Sequence, residues 1–433
     1  MKKYFLKNYF LPNGITIFFI FGALANALNY FYRILMARTL GPESFGEFTV
    51  LISLLLILTA PSAPLQIVTA RFYAVLKREK YQEKVIWLFK YLNKVVFFFV
   101  GGLFFLIIIF GRGIQNYLNL SSINYVYFLG LITSVTLILG ITRGILQGLR
   151  KFFHLSFNPL AESALRVILG WTFVALGFKL SGALAGFLIA LIFAYFLAIY
   201  YLKDVFTKKQ KNNFQLRIEK KEQKEIWRYI LYSLLAFFFL NILLNIDIVL
   251  VKHYFSPFSA GIYSGPVTFG RAIFVLNALL VGMMFPIVVS KRAKNENCFH
   301  SLKIPCLFSL FSTASILLVT VILPKILLVF GREYVEYHKF FIYYGLLMGI
   351  YSFIFILSYF FMAINKFKFL YILALGGILE VLLISFWHDN FSQVLLGIFA
   401  SFLFCLLAMT FLFLWFSRVQ VKGSKIRTIM KSI

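Results

Sequence analysis

The chain has 433 residues, of which 61% are hydrophobic, 19% aromatic and only 13% charged. A soluble core cannot use that much apolar side chain, so the composition belongs to a membrane protein. The formal net charge of +28 does not point to nucleic acid, because the basic residues lie between apolar runs long enough to span a bilayer.

Runs of about 18 to 25 apolar residues predict a first set of helices near Gly14 to Met36, Ser44 to Val68, Val95 to Phe110, Tyr125 to Thr142, Ser156 to Phe178 and Gly182 to Leu202. A second set lies near Arg228 to Val251, Ser259 to Val289, Ile304 to Leu323, Lys339 to Ala363, Phe369 to Trp387 and Phe391 to Phe416. The predicted fold is therefore an all-α polytopic membrane protein of about 12 spanning helices in two six-helix bundles around a central cavity. The expected division is a first bundle over residues 1–202, a basic linker over 203–227, a second bundle over 228–416 and a basic tail over 417–433. The first apolar run is of spanning length and is succeeded by more of the same, which argues against a cleavable signal peptide. Prolines at Pro61, Pro64, Pro266 and Pro286 should interrupt the second and eighth helices.

Charge in the loops alternates. The N-terminus, the segment around Lys77 to Lys94, Arg150 to His154, Lys203 to Arg228, Lys291 to Lys303, Lys366 to Lys368 and the tail hold most of the Lys and Arg. That bias places these segments, and both termini, on the cytoplasmic side of the cytoplasmic (inner) membrane. An even number of helices per half gives the halves one orientation. The segment from Lys203 to Arg228 is expected to be a solvated linker, with lipid headgroups as the alternative contact.

The halves echo one another at a constant offset of 215 residues: Asn26, Leu28, Leu35, Pro42, Ser44 and Gly46 match Asn241, Leu243, Leu250, Pro257, Ser259 and Gly261. The same offset aligns Leu149-Arg150-Lys151-Phe152 with Ile364-Asn365-Lys366-Phe367. Charge is not repeated, since Tyr32 and Arg33 align with Asp247 and Ile248. Any site using both halves should be asymmetric.

Ionisable groups inside spans are costly, so they face a partner or a cavity. Counting about 1.5 Å per residue puts Arg166, Arg271 and Glu380 near mid-bilayer, Arg33 and Asp247 toward the outer end, and Arg143 toward the cytoplasmic end. Glu162 and Arg166, four apart, either pair with each other or serve a cavity. Arg143 and Arg33 either snorkel to the interfaces or join that cavity. Gly22, Asn26, Asn29 and Arg33 form one polar face, and Ser264, Thr268 and Arg271 another. Such faces either line water or glue helices together. Glu380 has no partner within a turn, which leaves a cross-helix pair or a protonatable site. Asp247, Glu380 and Glu162 are the candidates for ion coupling, to Na+ or H+. With Glu47 the acidic residues inside the spans match the arginines in number, so a cationic cavity does not follow from the count. Cys298, Cys306 and Cys405 have neither disulfide nor metal spacing, and no metal site or cofactor is indicated.

The run from Arg33 through Ala37-Arg38-Thr39-Leu40-Gly41-Pro42-Glu43-Ser44-Phe45-Gly46 resembles the opening motif of polysaccharide-biosynthesis flippases, in which a turn joins the first two helices. Ala70-Arg71-Phe72 resembles the basic end of their second helix. Thr142-Arg143-Gly144 through Gly148-Leu149-Arg150-Lys151-Phe152 resembles their fourth-to-fifth helix turn, and Glu162 with Arg166 fits the stretch after that turn. The resemblance covers the N-terminal half well and the C-terminal half by topology. It implies membership of the multidrug, oligosaccharidyl-lipid and polysaccharide exporter superfamily, working by alternating access. It also implies transfer of an undecaprenyl-diphosphate-linked oligosaccharide from the cytoplasmic to the outer leaflet, in functional contact with glycan-assembly enzymes and membrane lipids. Arginine suits a diphosphate because its planar fork donates paired hydrogen bonds and stays charged. Arg33, Arg271, Arg166 and Arg143, with Asn26 and Asn29, are therefore the candidate substrate contacts. If Glu162 neutralises Arg166, Arg271 and Arg33 become the better ones. The nearest rival is a cation-coupled multidrug exporter. A membrane glycosyltransferase or polymerase is disfavoured, because every predicted outer loop is short and no acidic pair has metal spacing.

Overall fold

A computed structural model describes residues 12–67, 69–70, 82–203, 220–293, 296 and 298–432. Arg71-Phe72, most of the linker and parts of the basic segments near Lys77 and Lys291 lie outside the described residues. Among the described residues every regular element is helical. Eleven long α-helices lie among them, in chain order: α1 Pro12–Leu58, α2 Gln82–Tyr117, α3 Asn124–Gly148, α4 Phe152–Phe173, α5 Lys179–Tyr201, α6 Lys220–Tyr254, α7 Pro257–Ala293, α8 Lys303–Ile322, α9 His338–Ala363, α10 Phe369–Phe386 and α11 Phe391–Ser432.

Among the described residues, ten stretches are long and apolar enough to cross a membrane. Two of them hold two helices each. Ile20–Leu58 is broken at Gly41, with φ of 74°, and Phe152–Tyr201 is broken at Gly177, with φ of 93°. Twelve spans result. Gly41 is needed because a Cβ disfavours that backbone region, and Pro42 starts the second limb where no helical N–H is yet required. At the aligned place in the second half the chain also breaks, at Ser256, and α7 opens on Pro257. Packing divides the chain into two compact units, Met1–Ile230 and Leu231–Ile433, with six spans in each.

The repeat is also written in backbone geometry. At the end of α3, Arg150 takes φ of 59°, Lys151 donates its N–H to Leu146 O at 2.9 Å, and Arg150 donates to Gln147 O at 3.0 Å. At the end of α9, Asn365 takes φ of 59°, with Lys366 N–H to Phe361 O at 2.9 Å and Asn365 N–H to Met362 O at 3.0 Å. Each pair is a Schellman cap, and every residue of one is 215 positions from its counterpart. Neither copy uses the glycine that such a cap favours.

The prolines behave in two ways. The second limb of α1 ends at Leu58, and residues 59–61 form a turn before a short helix at 62–67, as Pro61 and Pro64 led us to expect. Thr59 Oγ1 donates to Leu55 O at 2.6 Å and closes that end. In α7 the backbone stays helical through Pro266 and Pro286, against the expected interruption. Each proline deletes one N–H, while the flanking i to i−4 bonds hold the helix.

Small residues set the helix spacing in the first unit. A Cβ on Gly186 of α5 would lie 2.5 Å from the backbone N of Gly170 in α4, and a Cβ on Gly170 would meet the Tyr32 ring at 2.6 Å. Tyr32, from α1, donates its hydroxyl to Ala183 O of α5 at 2.9 Å. In the second unit, the segment between α8 and α9 folds back so that buried Tyr334 lies where a Gly265 side chain would be. Its hydroxyl donates to Gly261 O at 3.4 Å, and burial together with nearby Glu333 pushes its pKa up.

Candidate functional site

Among the described residues, each unit gathers several of its in-span charged side chains into one cluster. In the first unit, α3 brings Arg143 against α4, which carries Asn158, Glu162 and Arg166 on successive turns of one face. Glu162 is shared. Its Oε2 lies 2.6 Å from Arg143 Nη2, and its Oε1 accepts from Arg166 Nη2. Arg143 Nε donates to Asn158 Oδ1 at 2.9 Å, while Asn158 Nδ2 donates to Ala194 O at 2.7 Å and ties the site to α5. Arg166 Nη1 donates to Asn29 Oδ1 of α1 at 2.8 Å. Its guanidinium lies 3.5 Å from the ring centroid of Phe187 on α5, a cation–π contact that fixes its plane.

Two guanidinium groups and one carboxylate leave a net charge of +1. The cluster is not sealed: the Arg143 and Arg166 side chains are 20% and 11% exposed, against 7% for Glu162. Arg166 Nε is buried with no hydrogen-bond partner among the described residues. Glu162 and Arg166 thus pair with each other, and Arg143 shares the carboxylate. Arg143 reaches across to α4 with two of its nitrogens, rather than only snorkelling to an interface.

Asn26, Asn29 and Arg33 are all half-buried on the first limb of α1. Arg33 lies 6.0 Å from the Tyr30 ring centroid. Of this stripe, Asn29 is bonded to the arginine cluster. Glu47 is buried elsewhere and accepts from Ser121 N–H at 2.7 Å and Ser121 Oγ–H at 3.0 Å, which anchors the α2–α3 connection.

In the second unit, Asp247 of α6 accepts from Tyr263 Oη at 3.1 Å and Tyr344 Oη at 2.8 Å, and its other oxygen lies 3.5 Å from Arg271 Nη2. Arg271 Nη2 also donates to Leu244 O at 2.9 Å. Both side chains of this pair are 3% exposed. Ser264 and Thr268, the rest of the predicted stripe, are buried with Arg271. Asn241 and Asn245 donate to the carbonyls of Phe237 and Asn241 on their own helix. Leu244 is the repeat counterpart of Asn29, so each unit directs one arginine to the same position of its first helix.

Glu380 on α10 is fully buried, and neither carboxyl oxygen has a hydrogen-bond partner among the described residues, so the expected cross-helix pair is not formed. Its helix face packs closely. Ser401 of α11 donates to Gly376 O at 2.8 Å, and a Cβ on Gly377 would lie 3.4 Å from Ile242 of α6. Sequence reasoning missed Asn158, Phe187, Tyr263 and Tyr344 as partners of these charges. A Phe or Tyr in an apolar helix carries no signal of the charge it will meet.

The sequence profile of the family described as "Polysaccharide biosynthesis protein" matches residues 11–291. The chain belongs to that family. Among solved structures, it resembles a multidrug resistance MATE family transporter of the MOP superfamily in an inward-facing conformation. That match has a TM-score of 0.74 and 16% identity, and covers 93% of this chain and 96% of the other. The lipid II flippase MurJ matches with a TM-score of 0.67 and 18% identity, over 92% of this chain and 87% of MurJ. A MOP superfamily transporter from Pyrococcus furiosus, described by the reverse polarity of its binding pocket, matches with a TM-score of 0.63 and 15% identity over 95% and 96%. No curated protein sequence matches. At these identities the structural likenesses establish the fold, a multi-pass arrangement of twelve helices in two bundles.

Proposed function

We propose that this member of the polysaccharide biosynthesis family is a flippase. It moves a polyprenyl-diphosphate-linked oligosaccharide from the cytoplasmic to the outer leaflet of the inner membrane by alternating access, with both termini cytoplasmic. The observation that carries the reading is the partly exposed, net-positive Arg143–Glu162–Arg166 cluster within a membrane span. A diphosphate there would exchange water for two guanidinium forks, each able to give paired donors. Arg33, Asn26 and Asn29, half-buried along α1, extend the polar path. Arg271 is instead assigned to the scaffold, since Asp247 and Leu244 O occupy it in a buried setting. The test is export of surface glycan from cells carrying Arg143→Ala or Arg166→Ala at normal protein abundance. Loss of export supports the assignment, and full export removes both residues from the site.

One observation favours the cation-coupled multidrug exporter. A buried carboxylate with no hydrogen-bond partner is costly, so Glu380 is the group in the second unit best placed to take a proton or Na+. The two readings are compatible, because an ion gradient could drive a flippase. Glu380→Gln keeps the shape and removes the titration. If export loses its dependence on the proton or sodium gradient, coupling belongs to Glu380, and unchanged dependence excludes it.

A further inference from the structure

We propose that Glu162 is an internal counter-ion that competes with the diphosphate for Arg143 and Arg166, so that release is built into the site. The proposal rests on the reading of the Arg143–Arg166 cluster as the anion site. Glu162 takes one oxygen to each arginine, through Nη2 of Arg143 and Nη2 of Arg166, and is bidentate to neither. Each guanidinium therefore keeps donors that Glu162 does not use. Arg166 Nε is buried and unbonded among the described residues. Arg143 spends its Nε on Asn158, a neutral acceptor.

A diphosphate offers more acceptor oxygens than a carboxylate and can engage both forks at once. When it enters, Glu162 must yield its two contacts, and its charge then repels the ligand at close range. The groups that face Glu162 are Arg143 from α3, Arg166 on its own helix and, beyond Arg166, Asn29 and Tyr32 from α1 and Phe187 from α5. None of the others is acidic. Glu162 is thus the single negative group of the cluster among the described residues, and its carboxylate sets how tightly an anion is held. Tight binding would serve capture but would oppose release on the far side. An internal carboxylate returns the arginines to a paired state as the ligand leaves, which offsets the cost of leaving two partly buried guanidinium groups bare.

The experiment uses the purified full-length protein in detergent, with farnesyl diphosphate as probe and binding measured by calorimetry. Glu162→Gln preserves shape and acceptor capacity while removing the charge, and should tighten binding by about tenfold or more. Glu162→Asp keeps the charge and should bind no more tightly than the wild type. Asn29→Asp adds a second negative charge beside Arg166 and should weaken binding by a similar factor, which tests the same electrostatics should the Gln variant not fold. Binding by Glu162→Gln that is equal to or weaker than wild type, or by Asn29→Asp that is unchanged, overturns the counter-ion role while leaving the anion site intact. No saturable binding by the wild type or any variant overturns the site reading itself, and this inference with it.

Discussion

Arg271 is held by Asp247 in the second unit, and we expect it to be structural. Removing one partner of a buried ion pair leaves an uncompensated charge, at a cost of about 3–5 kcal/mol. Here both side chains are 3% exposed, so solvent screening does not reduce that cost appreciably. Arg271→Met leaves Asp247, among the described residues, with the Tyr263 and Tyr344 hydroxyls, and Asp247→Asn leaves a buried guanidinium. For a unit of about 200 residues, each kcal/mol lowers the melting temperature by about 2–4 °C. Each single variant should therefore melt about 6–20 °C lower in detergent. The double variant, which removes both charges, should recover most of that loss, because a hydrophobic replacement of a buried pair is often neutral. Glycan export should track the amount of folded protein throughout. The reasoning is refuted if Arg271→Met melts like the wild type yet abolishes export, since Arg271 would then be a substrate contact and not scaffold.

Other consequences are equally direct. Gly186→Ala places a methyl against the Gly170 backbone and should force α4 and α5 apart, costing about 1–3 kcal/mol of overpacking; a melting temperature within a degree of wild type would contradict that spacing. Arg150→Gly relieves a positive φ and should stabilise by about 1 kcal/mol in thermal melts, whereas Asn365→Gly should gain less because Asn tolerates that region better. A destabilised Arg150→Gly would show that the Arg150 side chain outweighs its backbone strain. Tyr32→Phe removes the second hydrogen bond from the Ala183 carbonyl, which keeps its helical partner, and should cost about 0.5–1.5 kcal/mol, read as a lower melting temperature with the fold retained.

The parts of the fold that the sequence displayed are those governed by local rules. Apolar run length predicted the spans, and Gly41-Pro42 marked the break in α1 because glycine and proline dictate backbone geometry by themselves. The 215-residue echo located both Schellman caps without naming them, since Leu149 to Phe152 and Ile364 to Phe367 were already aligned. Pro266 and Pro286 show the limit of a local rule, because the rest of α7 holds the helix across them. The site was half visible. The spacing of Glu162 and Arg166 signalled a pair, but Arg143 lies 19 residues from Glu162 and meets it only after α3 and α4 turn back on each other. Asp247 signalled a charge in a span without revealing that Tyr263, Tyr344 and Arg271 would surround it, because those contacts arise from packing between helices. Glu380 signalled a buried carboxyl, and only the packed neighbours show that nothing described bonds to it.

The central claim is tested most directly by leaflet transfer of a polyprenyl-diphosphate-linked glycan in proteoliposomes holding purified wild type or Arg166→Lys. Lysine keeps the charge but loses the planar fork that reaches Glu162, Asn29 and Phe187 at once. The account expects transfer by the wild type and a loss of tenfold or more in the variant, with a single-chain monophosphate lipid moved poorly by both. Wild-type transfer rates retained by Arg166→Lys and by Arg143→Lys would contradict it.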